Sequence, residues 1–119
     1  MSTLDMQGPY VLVPDQIDEH VSPKKPGAFA LGYICNGDFI VRYVGRADTD
    51  LHKELNSWVF RKSDCLFFKY RMTATPREAF EKECASFHDF GGTVGLTNEA
   101  HPKRPANTDW RCARCKIYD

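Results

Sequence analysis

Two stretches, AFALGYIC at residues 28–35 and FIVRYV at 39–44, are apolar and rich in β-branched and aromatic types. Asn36-Gly37 lies between them, a strong short hairpin signal, because both central positions of a type I′ turn need positive φ. The pattern predicts an antiparallel hairpin whose second strand ends at Gly45. From Asp48 to Val59 the apolar spacing becomes helical: Leu51, Leu55, Trp58 and Val59 share one face, and Asp48 or Thr49 can cap the start. Residues 65–72, CLFFKYRM, read as a third strand. Thr75-Pro76-Arg77-Glu78 is a capping box with proline at the first helical position. The helix it opens, about Pro76 to Asp89, carries Ala79, Phe80, Cys84 and Phe87 on or near one face, and Gly91-Gly92 stops it. The order β-β-α-β-α predicts an α+β fold: a small three-stranded, mainly antiparallel sheet on one side with flanking helices on the other.

Residues 1–26 carry Pro9, Pro14, Pro23 and Pro26, Gly8 and the acidic run Asp15–Glu19. They read as an irregular N-terminal leader, with room for a short strand at Tyr10–Val13. After residue 92, Gly95, Asn98, Pro102 and Pro105 interrupt every pattern, so a loop-like tail follows. One domain over 27–119 is expected, its tail of about 84–119 included.

Length and composition narrow the function. At 119 residues there is room for one modest core, and 42% hydrophobic with 13% aromatic residues is globular composition. Sixteen Lys+Arg balance sixteen Asp+Glu, which excludes a strongly basic coat protein. The balance is uneven. Residues 1–40 hold five acids and two bases, while 41–119 hold eleven acids and fourteen bases. Arg42, Arg46, Arg61, Lys69 and Arg71 belong to that excess, which can face phosphate or be ordinary solvated surface. No run of 18 apolar residues exists, so no membrane span is expected. The first residues do not read as a secretory signal, and five cysteines, an odd number, do not suit a secreted disulfide scaffold. A cytoplasmic setting with reduced thiols is expected, where clustered cysteines serve metal or catalysis.

Cys112-Ala113-Arg114-Cys115 is half of a tetrahedral zinc site. Cys84 and His88, four apart on the second helix, share a face and can supply the other half, with His101 as a rival fourth ligand. Each has a blander reading: Cys84 as core, His88 as a helix-end cation, the CxxC as a redox pair. Four protein ligands leave no open position, so the zinc would be structural and would pin the tail to the helix.

Gly27-Ala28-Phe29, thirteen residues and then Tyr43-Val44-Gly45-Arg46 resemble the GIY-YIG nuclease motif, and the elements that follow keep that family's order over about residues 26–100. The resemblance implies a metal-dependent DNA endonuclease. It makes Tyr43 the second-motif tyrosine and Glu83 the ligand of a catalytic Mg²⁺ or Mn²⁺. It puts Lys53 at the helix post where the family has arginine, Phe29 at the first-motif tyrosine, and Asn98 at a late asparagine. Arg46 is a further phosphate contact. In-line attack on a phosphodiester needs an oriented water and positive charge on the developing oxyanion, and a tyrosine hydroxyl, a metal-binding carboxylate and cations supply these.

Phe29 has no hydroxyl, and Lys53 lacks the bidentate fork of arginine. These departures keep a second reading open: an inactive GIY-YIG-like module that binds nucleic acid or protein on a zinc scaffold. A zinc-ribbon-like adaptor unrelated to nucleases is a third. A two-residue turn would set Tyr43 opposite Ala30, and a one-residue bulge would restore the family's pairing with Phe29. Tyr33 is then a stand-in hydroxyl. A nuclease this small has little surface for specificity, which makes a protein partner or a homodimer an expectation.

Overall fold

The computed structural model describes residues 6–59, 61 and 65–117. Asn36 and Gly37 have φ of 51° and 85°, the positive pair that a type I′ turn requires. They join β2 (Gly27–Cys35) to β3 (Asp38–Ala47) as expected. Helix α2 (Leu51–Trp58), strand β4 (Phe67–Met72) and helix α3 (Pro76–Asp89) follow in the expected order. Asp50, not Asp48 or Thr49, caps α2 by accepting from the Lys53 N–H at 3.0 Å. Thr75 caps α3 as its capping box predicts.

The leader is more ordered than expected: the short strand allowed at Tyr10–Val13 forms, beginning three residues earlier, and an unexpected helix follows it. It carries β1 (Gln7–Val11) and α1 (Pro14–His20), and β1 joins the sheet. The sheet therefore has four strands, not three, in the order β1-β4-β2-β3 with every neighbour antiparallel. The prolines are compatible with this: Pro9 sits on an edge strand and Pro14 at the start of a helix, two places where a missing N–H costs little. Leu12, Ile17 and Val21 are buried in the core.

Helices also lie on both faces of the sheet, not on one. Phe29 and Leu31 of β2 pack with Ile17 of α1 and with Leu51 and Leu55 of α2. Ala30 between them packs on the other face with Val44 and with Phe87 of α3. A strand covered on both faces reads as a continuous apolar run, which is what residues 28–31 show. No helix among the described residues is long and apolar enough to cross a membrane.

A bulge shapes the hairpin. Gly32 pairs with Val41 but Leu31 pairs with Tyr43, so Arg42 is the extra residue. Side chains alternate faces along a strand, so this one-residue shift moves Tyr43 to the face of Phe29 and Leu31. Tyr43 lies opposite Leu31 rather than Ala30 or Phe29, and Gly45 lies opposite Phe29. The bulge needs Gly32: a Cβ there would meet the Ile40 carbonyl oxygen at 1.9 Å. Gly45 makes room for the Phe29 ring, which a Cβ would meet at 2.5 Å.

Past α3, the single turn α4 (Gly92–Gly95) leads into a tail without strands or longer helices through residue 117.

Candidate functional site

Strand β3 is an edge strand, so side chains from both sheet faces reach the space beside it. Two open clefts of about 550 Å³ each lie there, and Tyr43 and Glu83 line both. Arg46 and Lys53 line the first with Phe29 and Lys103. The second runs past Trp58 and Arg61 to the stretch from Thr97 to Pro102. Tyr43, Arg46, Lys53 and Glu83, separated in sequence by up to forty positions, thus line one cleft.

Glu83 comes from α3 and is 8% exposed. Arg46 reaches it from the end of β3, Nη1 to Oε1 at 2.7 Å. Arg46 also donates from Nε to Asp48 at 2.9 Å and from Nη2 to the Lys103 carbonyl at 2.6 Å, and lies over the Phe80 ring at 5.0 Å. The guanidinium is therefore held by the protein as a brace between β3, α3 and the tail. Burial pushes the Glu83 carboxyl up to about 7, with Asp48 and Glu54 adding to the rise and Arg46 opposing it. Burial raises the Tyr43 hydroxyl above its ordinary value, and the charges of Glu83 and Glu54 add to this. Tyr43 is therefore better suited to orienting a water than to removing its proton.

Phe29 is 1% exposed and packs in the core as well as flooring the cleft. Its ring centroid lies 6.2 Å from Tyr43, and Trp58 approaches Tyr43 to 4.6 Å. Tyr33 is exposed near the hairpin turn and lines neither cleft. Asn98 is buried, and its carboxamide both accepts from the Val44 N–H at 3.0 Å and donates to the Val44 carbonyl at 2.8 Å. One side chain thus caps the β3 edge as a further strand would.

A second cluster lies where α3 ends. His88, His101, Cys112 and Cys115 each offer a ligand atom within 4.8 Å of the others, a group that could hold a metal ion. His101 takes the place expected for Cys84. Cys84 is wholly buried and packs with Phe80 and Cys112. The longer His101 comes from the tail to within 5.0 Å of the His88 ring, centroid to centroid.

The residues fit a metal chemically. His101 Nδ1 lies 2.8 Å from the Pro102 carbonyl, so it is the donor, and Nε2 faces the Cys115 sulfur at 3.4 Å. His88 Nε2 is a buried polar atom with no hydrogen-bond partner among the described residues. Burial, and then His101 beside it, lower the His88 pKa and favour the neutral, ligating ring. Two thiols and two imidazoles at this separation suit one ion bonded at about 2.0–2.3 Å after small side-chain rotations. Arg114 grips Asp89 of α3 with two hydrogen bonds of 3.1 Å and holds the CxxC loop in place.

Sequence reasoning missed Asp48 and the Lys103 carbonyl as partners of Arg46, and Trp58 as a cleft wall. Trp58 sits at a core-like helical position, and a backbone carbonyl leaves no residue-type signal. Searches against family models, curated proteins and solved structures find no match to this chain.

Proposed function

We propose that this chain is a GIY-YIG-like, divalent-cation-dependent phosphodiesterase acting on DNA, with zinc as a structural ion at its His/Cys centre. One observation carries the reading: Tyr43, Arg46, Lys53 and Glu83 line a single cleft although three different elements supply them. Glu83 is the residue that would hold Mg²⁺ or Mn²⁺, which would neutralise charge as it develops on a phosphodiester oxygen. Burial outweighs Arg46 at this carboxyl, so the site can accommodate a further positive charge. The first cleft carries Arg46, Lys53 and Lys103 against Asp48, Asp50, Glu54 and Glu83, three cations against four carboxylates. A polyanion therefore enters with a divalent cation rather than alone.

The other roles follow from position. Arg46 orients Glu83. Lys53 and Lys103 are the cations on the cleft wall, and Tyr43 orients the attacking water. The His/Cys centre would offer an ion four protein ligands and leave no open position, so that ion is assigned to the tail rather than to chemistry.

Plasmid nicking in Mg²⁺ and in Mn²⁺ tests this, with Glu83→Ala beside the wild type at matched zinc content. The wild type should nick and the variant should be slower by about 100-fold or more. Equal rates would remove Glu83 from the mechanism. Salt-sensitive DNA binding without nicking by either protein would instead support a non-catalytic module for nucleic acid, a protein partner or a second copy. Two observations favour that second reading: Arg46 already gives three of its five N–H donors to Glu83, Asp48 and Lys103, and Phe29 is packed as core.

A further inference from the structure

We propose that His101 is a positioning residue: by ligating the metal of the His/Cys centre, it holds residues 97–103 where they form the wall of both clefts and brace Arg46 against Glu83. The inference rests on a metal at that centre and not on the cleavage chemistry.

Residues 97–103 have no helix or strand of their own. Side chains and single backbone groups tie them down instead. Thr97 donates its N–H and its hydroxyl to the Arg42 carbonyl. Asn98 clamps both backbone groups of Val44. The Lys103 carbonyl accepts from Arg46. His101 lies between the second and third ties, and its ring packs edge-on against Phe87 at 5.4 Å. A segment outside any helix or ladder, tied by side chains and single backbone groups, opens at low free energy unless something else holds it.

The metal centre would supply that hold from a rigid element. Helix α3 carries both Glu83 and His88, about 7.5 Å apart along its axis. The loop carries Lys103 and His101. Two rungs therefore join helix to loop: Glu83 to Arg46 to the Lys103 carbonyl, and His88 through an ion to His101. The first rung is seen directly. The second aligns it, because His101 is two residues from Lys103. The same loop supplies Thr97, Asn98 and His101 to the second cleft and Lys103 to the first.

The test uses the full chain. Elemental analysis first gives metal per chain, expected near one, and a value near zero in protein purified without chelator overturns the inference. His101→Ala leaves His88, Cys112 and Cys115 to keep the ion. Its Val44 amide should exchange with solvent about tenfold faster or more, its Arg46 Nε–H resonance should move, and amides in the β2–β4 pairing should stay protected. His101→Cys, which restores a fourth ligand, should bring both signals back towards wild type. Unchanged Val44 exchange in metallated His101→Ala would overturn the role. An equal rise across all strands would do so too, since it would make His101 a support of the whole fold. If His101→Ala does not fold, chelator-stripped wild type is judged by the same signals.

Discussion

The sheet and the tail are held by different means. Around Phe29, Leu31 and Phe68 a continuous apolar cluster draws on four strands and two helices, and burial alone can specify it. Among the described residues the cluster under the tail buries Phe80, Cys84 and Cys112, with Trp110 and Cys115 partly buried against it. So small a cluster cannot offset the ordering of a long irregular segment, and directional bonds replace it. These are the Arg114–Asp89 fork, the Arg104 bond to the Trp110 carbonyl and the four candidate ligands. Where a chain runs out of apolar residues, a metal centre concentrates stabilisation in a few side chains. The clefts lie along the seam between the two regimes.

The sharpest way to break this contrast is Cys112→Ser. It should weaken metal binding by more than about 100-fold and free the tail for proteolysis, while hairpin amides change by less than about 1 kcal/mol. Loss of the whole fold would mean that the metal organises the sheet as well. Phe68→Ala is the converse probe. Phe68 is fully buried in the sheet core, so the variant should lose about 3–5 kcal/mol in denaturant unfolding. Metal released at the same denaturant concentration as the sheet unfolds would make the two regions one cooperative unit.

Glu83→Gln sharpens the seam itself. A carboxyl whose native pKa lies above its unfolded value stabilises the fold fully below about 4.5 and loses that contribution as pH rises through about 7. Without divalent cations, the wild type should lose up to about 3 kcal/mol over this window relative to the variant. Thermal midpoints that run parallel from pH 4.5 to 8 would show that Glu83 does not titrate there.

The hairpin, both main helices and the third expected strand were legible because each rests on a local signal: the Asn36-Gly37 turn, the 3.6-residue spacing, the Thr75 capping box. The leader's helix and the full extent of its strand were not legible, because its prolines look like breakers until their places, one on an edge strand and one at a helix start, are known. Likewise, no local signal separates a helix layer on one face from layers on both. Spacing brought Cys84 and His88 to one helix face, yet the group that could hold a metal draws His101 from the tail, and Cys84 packs beside it with Phe80 and Cys112.

The sequence by itself determined most of the element types, the hairpin turn and the CxxC, because those depend on neighbours a few positions apart or on residue identity. Only the tertiary structure decided the bulge that turns Tyr43 to the face of Phe29, the clamp of Asn98 on Val44, the pairing of Arg46 with Glu83 and the choice of His101 over Cys84. Each of these joins groups far apart in the chain, or depends on a register shift that no local spacing records. In each, distance and burial decide between partners that sequence alone leaves equivalent.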